Sequence, residues 1–281
     1  MKTYKFNCIL FTVIVALFSV IFSSCTKEEL VNPPKVTLTT DWTNRTTGIA
    51  IPSPYTVVIN NKNLTYHSVS NNLPELEAGS YPVTIYNYAD KVTINGSTAT
   101  VATSGSIVDA QPGYLFYSEL DIEFENDKEK TVTAVMQQQV RRLNIELTVT
   151  DGNIGNIESI TASLSGVANT INLKDGTYSG TAQKVEPVFT KSGNKLIASV
   201  RLIGLTAEVQ NLTLDISYAA GSPQQITTDM SSYLTDFGTD KHIPVTLSGN
   251  ISISKSGITF NSEISGWESQ GQIDGIDANE Q

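Results

Sequence analysis

Leu120-Asp121-Ile122-Glu123-Phe124-Glu125 alternates apolar and acidic residues one for one. Successive side chains of an extended strand point to opposite faces, so this run sets Leu120, Ile122 and Phe124 on one face and the acids on the other. The same period of two recurs in Val36-Thr37-Leu38-Thr39, Tyr55-Thr56-Val57-Val58-Ile59, Tyr81-Pro82-Val83-Thr84-Ile85-Tyr86 and Val92-Thr93-Ile94. These runs are rich in Thr, Val, Ile and Tyr, the residues that suit a pleated, half-buried surface. Asn60-Asn61, Ala78-Gly79-Ser80, Asn95-Gly96 and Gln111-Pro112-Gly113 separate them. Asn95-Gly96 between short Thr-rich runs predicts a hairpin.

Downstream, strands are predicted over 143–149, 157–164, 170–173, 196–202, 212–218, 243–247 and 251–264, the last split by Ser256-Gly257. Turns are expected at Asp151-Gly152, Asp175-Gly176, Ser192-Gly193-Asn194, Gly221-Ser222-Pro223 and Ser248-Gly249. No long stretch carries the helical period. The fold class is therefore all-β, and about fifteen short strands exceed one small sandwich. Two tandem β-domains are expected, 35–140 and 141–267, followed by a polar tail over 268–281. The boundary falls at Met136-Gln137-Gln138-Gln139-Val140-Arg141-Arg142-Leu143, which contains no Pro or Gly and so predicts a stiff joint.

The N-terminus reads as an address. Lys2 and Lys5 precede an apolar run from Cys8 to Phe22, too short for a comfortable membrane span but suited to a signal-peptide core. Ser23-Ser24-Cys25 follows, as in a lipobox, with Phe22 in place of the usual Leu. Residues 1–24 are thus expected to be removed and Cys25 lipidated, with 25–34 a tether. Lys27, Glu28 and Glu29 resemble the short charged signal that sends lipoproteins to the cell surface in Bacteroidota-type bacteria.

Composition excludes several kinds of chemistry. The 281 residues carry a formal net charge of −10, so no clustered cations are available to hold nucleic-acid phosphate. Two His (His67, His242) and two Cys (Cys8, Cys25) cannot build a Cys/His zinc site, and neither His lies in a nucleophile motif. Asp121, Glu123, Glu125, Asp127 and Glu129 would share one strand face, either as a calcium or glycosidase carboxylate set or as a charged surface that discourages edge aggregation. Lys128 and Lys130 within the tract favour the charged surface. Trp42 and Trp267 fall at the ends of the first and last strands, where they read as core plugs ahead of sugar-stacking platforms. No catalytic residue, cofactor, metal or small-molecule substrate is predicted.

The lipobox at Cys25, the stretch Val36 to Trp42, the stretch Leu76 to Asn87, the central Met136 to Leu143 and the ending from Leu247 to Trp267 together resemble the fimbrillin superfamily of type V pili, particularly its anchor and minor subunits. The resemblance implies two transthyretin-like β-sandwiches and a non-catalytic role in pilus assembly or adhesion. It also implies other pilin subunits as partners and an outer membrane held through the N-terminal lipid. Shaft subunits of that family lose their first strand by proteolysis after an Arg and exchange strands with neighbours. Arg45 is the only Arg in the N-terminal region, and so is either the corresponding cleavage site or a turn residue. A polar C-terminal tail is a poor donor strand and favours an anchor. The alternative from a different class is a surface carbohydrate-binding lipoprotein of a glycan-uptake system, which expects Trp42, Trp267 or several Tyr exposed in one cleft.

Overall fold

The computed structural model describes residues 32–256 and 259–271. The expected signal peptide, Cys25, Lys27, Glu28, Glu29 and tail residues 272–281 lie outside the described residues. Strands make up more than half of the described chain. The only helical turns among the described residues are the 3-10 segments Ile154–Asn156 and Ser231–Tyr233. No helix of the described residues is long and apolar enough to cross a membrane.

The first sandwich faces a three-stranded sheet against a five-stranded one. In the former, the first strand, Lys35–Asp41, lies between Glu129–Val135 and Ser70–Asn72. It runs parallel to Glu129–Val135 and antiparallel to Ser70–Asn72. The five-stranded sheet has the order Gln137–Gln138, Phe116–Phe124, Gly79–Asn87, Tyr55–Ile59, Lys62–Tyr66. The period of two decides what goes inside. Val36 and Leu38 from the first strand and Trp42 just after it meet Val57, Ile59, Val83, Ile85, Phe116, Ile122 and Phe124 from the facing sheet. Each such side chain, once out of water, contributes about 1.5–3 kcal/mol. Trp42 closes the core end, edge-on to Tyr55 at 5.8 Å and to Phe116 at 5.5 Å, with its indole N–H donating to Thr40 Oγ1 at 2.8 Å.

The second half repeats the device. Arg141–Asp151 pairs antiparallel with Lys195–Leu202 and parallel with Val245–Ser256. Thr259–Gly271 then pairs with Val245–Ser256 at the sheet edge. A larger sheet centred on Ile157–Ala168 and Asn211–Tyr218 covers the other side.

Three features differ from the sequence expectation. Ser248-Gly249 is not a turn. Its strand continues, and the register slips there so that Gly266 and Trp267 oppose Gly249 alone, a β-bulge. The last strand runs to Gly271, four residues into the stretch expected as a tail. The apolar packing also does not divide at residue 140. Ala89, Ala99, Val101, Val108, Leu115 and Tyr117 join the second core. The hairpin Val92–Asn95/Thr98–Val101, turned at Gly96 as its sequence predicts, pairs with Thr170–Asn172 of the second half.

Candidate functional site

The chain carries its polar chemistry where the two cores meet. Met136, Gln138 and Val140 share one phase of the strand period, so Gln138 is carried inward between two buried apolar neighbours. A buried amide must find partners for two donors and an acceptor. The two hydrogens on Gln138 Nε2 are shared among three acceptors, Val140 O at 2.7 Å, Lys241 O at 2.9 Å and Thr46 Oγ1 at 3.0 Å. Its Oε1 accepts from Thr46 N at 2.8 Å. The Thr46 hydroxyl donates to His242 O at 2.7 Å.

Arg141 continues the seam. Its guanidinium is buried, and it donates to Ile243 O at 2.6 Å, Asp236 O at 2.8 Å and Phe237 O at 2.9 Å while stacking on the Phe237 ring at 5.4 Å. It fastens the loop before the Val245–Ser256 strand to the start of the Arg141–Asp151 strand. Lys241 points over the Tyr178 ring at 5.6 Å and donates to Gln139 Oε1. Burial, and then the Arg141 charge, pull the Lys241 pKa down to about 8. Burial raises the Tyr178 hydroxyl, against the opposing pull of Arg141. Arg142 and Arg201 engage Tyr114, by a 3.1 Å hydrogen bond to its hydroxyl and a 5.0 Å cation–π contact.

Arg45 sits at this seam in a tight bend. Its Nε donates to Ile49 O at 2.6 Å and its Nη1 to Trp42 O at 2.8 Å, so the side chain holds its own loop closed. Thr46, on the other side of the candidate scissile bond, is only 4% exposed. The strand that cleavage would release is the centre of its sheet.

A groove of ≈ 590 Å³ opens beside the seam, lined by Tyr117, Ser118, Leu120, Thr133, Val135 and Leu173 among others. Two sheet edges face it. In Phe116–Phe124 only Phe116 and Tyr117 are paired on this side, with Gln138 and Gln137. Ser118 onward pairs only with Gly79–Asn87 among the described residues. Glu129–Val135 pairs only with Lys35–Asp41 among the described residues. Alternate N–H and C=O groups along both strands therefore point outward. The floor is fixed by Glu119, which accepts from Tyr117 Oη at 2.6 Å and Lys174 Nζ at 2.7 Å. Those two hydrogen bonds, Lys174 first, hold the Glu119 carboxyl below its ordinary pKa.

The acidic tract does not form one face. Its strand ends at Phe124, Asp127 turns with φ 57°, and Glu129 starts a strand of the other sheet. Glu125 pairs with Lys128, and Glu129 with Lys35 at 3.0 Å. Among the described residues no group of His, Cys, Asp and Glu could hold a metal ion. His67 is exposed, and His242 contributes its backbone carbonyl to the seam. Trp42 is buried, while Trp267 is half-buried against the second core. They do not meet in one cleft. The seam residues Thr46 and Lys241 carry no signal in the sequence that marks them as partners. Gln138 carried a readable signal, a polar residue in the apolar phase.

Residues 42–272 match the family model for fimbrillin-A associated anchor proteins Mfa1 and Mfa2. The chain belongs to this family. No curated protein matches it. Among solved structures, the fimbrial anchor protein Mfa2 from Porphyromonas gingivalis is similar with a TM-score of 0.53 at 12% identity, covering 84% of this chain and 98% of that one. A candidate adhesin from Bacteroides ovatus gives 0.56 at 15% identity, covering 71% and 84%. A candidate polysaccharide-binding protein from Bacteroides thetaiotaomicron gives 0.54 at 10% identity, covering 86% and 99%. At these identities the neighbours speak to the fold. Membership itself places the chain among fimbria-associated proteins.

Proposed function

We propose that this family member is a non-catalytic anchor or minor structural subunit of a fimbria, tied to the outer membrane by a lipid on Cys25 and exported to the surface with the help of Lys27, Glu28 and Glu29. It keeps its first strand and receives a neighbouring subunit by strand addition. The observation that carries this reading is the position of Lys35–Asp41, hydrogen-bonded on both sides at the centre of its sheet and followed by a bend sealed at Thr46. A shaft subunit must give up such a strand, whereas an anchor has reason to retain it. The facing edges at Ser118 and Val135 offer main-chain groups to an extended segment, and Leu120, Val135 and Leu173, from three separate segments, line the groove with apolar surface.

Two measurements test the proposal. Intact mass and N-terminal sequencing of the protein from its native surface should find acylated Cys25 and an unbroken Arg45–Thr46 bond; an N-terminus at Thr46 overturns the anchor reading. A photo-crosslinking residue at Val135 should capture a fimbrial subunit, whereas one at the exposed Tyr88 should not. Equal capture at both positions overturns the choice of edge.

A further inference from the structure

The first strand lies along a line between two attachment points. At one pole, Asn32 is fixed to the turn before Glu129: its N–H and Nδ2 donate to Asp127 Oδ1 at 2.8 and 3.0 Å, and Asp127 N donates back to Asn32 O at 3.0 Å. Residue 32, the first described residue, therefore lies beside the start of Glu129–Val135. At the other pole, Asp41 O accepts from Met136 N at 2.8 Å, and the chain reaches Thr46, Gln138 and His242, where the second half is stitched on. All seven residues Lys35–Asp41 pair in parallel register with Glu129–Val135, and Thr37–Thr39 pair also with Ser70–Asn72.

We propose that this strand is a mechanical clamp and that bearing tension between the tether and the second half is a function of the fold. The physical reason is directional. Tension entering at Asn32 and leaving through the second half runs along the strand axis. It tries to slide Lys35–Asp41 past both neighbours, so the ladder bonds on both sides share the load and must yield together. The apolar knobs Val36, Leu38 and Trp42 must move through the core in the same step. A force pulling the same strand sideways from the pole where Asn32 sits would break the bonds one after another. A parallel neighbour is what permits the first arrangement, because the tether arrives at one end of the pair and the second half is reached from the other end. This inference rests on the proposed tethering at Cys25 for its biological use, but not for its test.

The test is single-molecule force spectroscopy on the mature chain beginning at Cys25, whose thiol serves as one handle. In the first geometry the second handle is S222C, in an exposed turn of the second half. In the second geometry it is N126C, in the exposed turn before Glu129, so that the load peels the strand from the Asn32 pole. The first-sandwich event, identified by the length of chain it releases, should require at least about twofold more force in the S222C geometry at equal loading rate, because parallel-loaded bonds fail together. Equal forces, or a weaker event in that geometry, overturn the clamp. Both engineered cysteines lie at exposed positions outside the strands, and thermal melting of each labelled variant checks that a difference does not come from misfolding. Absence of lipid on native Cys25 would refute the tether and leave the mechanical result standing.

Discussion

Thr46 and Gln138, far apart in the chain, clasp each other with hydrogen bonds in both directions: Thr46 N donates to Gln138 Oε1 at 2.8 Å and Gln138 Nε2 donates to Thr46 Oγ1 at 3.0 Å. The clasp closes the bend after the first strand onto the joint between the two cores.

Gln138→Ala therefore strips partners from the Thr46 amide and from two carbonyls in one buried place. Unsatisfied buried groups cost about 1–3 kcal/mol each, with partial relief from water, so the variant should lose about 2–4 kcal/mol in denaturant unfolding. Gln137→Ala, at the exposed neighbour, should stay within about 0.5 kcal/mol. Equal losses for the two would remove Gln138 from the joint.

Arg45–Thr46 should resist an Arg-specific protease in the folded protein, because the bond is bent and Thr46 is enclosed. Thr46→Ala removes the hydroxyl bond to His242 O and should speed cleavage at this bond without lowering the melting temperature enough to explain it. Rapid wild-type cleavage at Arg45 would show that the clasp does not guard it.

A Cβ on Gly204 would fall 2.0 Å from Tyr178 Cε1 and 2.2 Å from its Cζ. Gly204→Ala should cost about 3 kcal/mol through forced repacking. Adding Tyr178→Ala should recover part of that loss, a coupling a double-mutant cycle measures directly. Additive losses would mean that the ring is not the obstacle.

Lys241 has a pKa near 8 against the usual lysine value of 10.5. Between these values the unfolded chain holds a proton that the folded chain has released, so stability gains from this group as pH rises from about 8 to 10.5. Below pH 8 both states are protonated and the full penalty of burying the cation, near Arg141 and over the Tyr178 ring, is present. The melting temperature of the wild type relative to Lys241→Gln should therefore rise from pH 7 to pH 10. A flat or falling difference would contradict the burial of this ammonium group.

Much of the fold was legible in the alternation of residues such as Leu120 to Phe124, because a sheet with one wet face writes its period into the sequence. Trp42 was legible as a core plug for the same reason. Three other features were not. Ser248-Gly249 looks like a turn, and it becomes a bulge because Gly249 lets Trp267 and Leu147 approach to 3.1 Å of where a Cβ would stand. The acidic tract has the period of a strand, but the chain turns at Asp127 and local composition does not report where a strand stops. The allegiance of Ala99 and Val101 depends on pairing with Thr170–Asn172, a long-range choice to which a short Thr-rich hairpin is indifferent. The groove was invisible because it is made of edges left unpaired among the described residues, and a missing neighbour has no residue to announce it.

That allegiance has a consequence for synthesis. A chain made from its N-terminus can close the first core once Met136 has emerged. Ala99, Val101 and Val108 are made earlier, yet their packing partners Ile171 and Val185 are still to come. For that interval the nascent chain carries a finished hairpin with no interior to enter, and it is in this window that the chain most needs protection from other unfinished copies of itself.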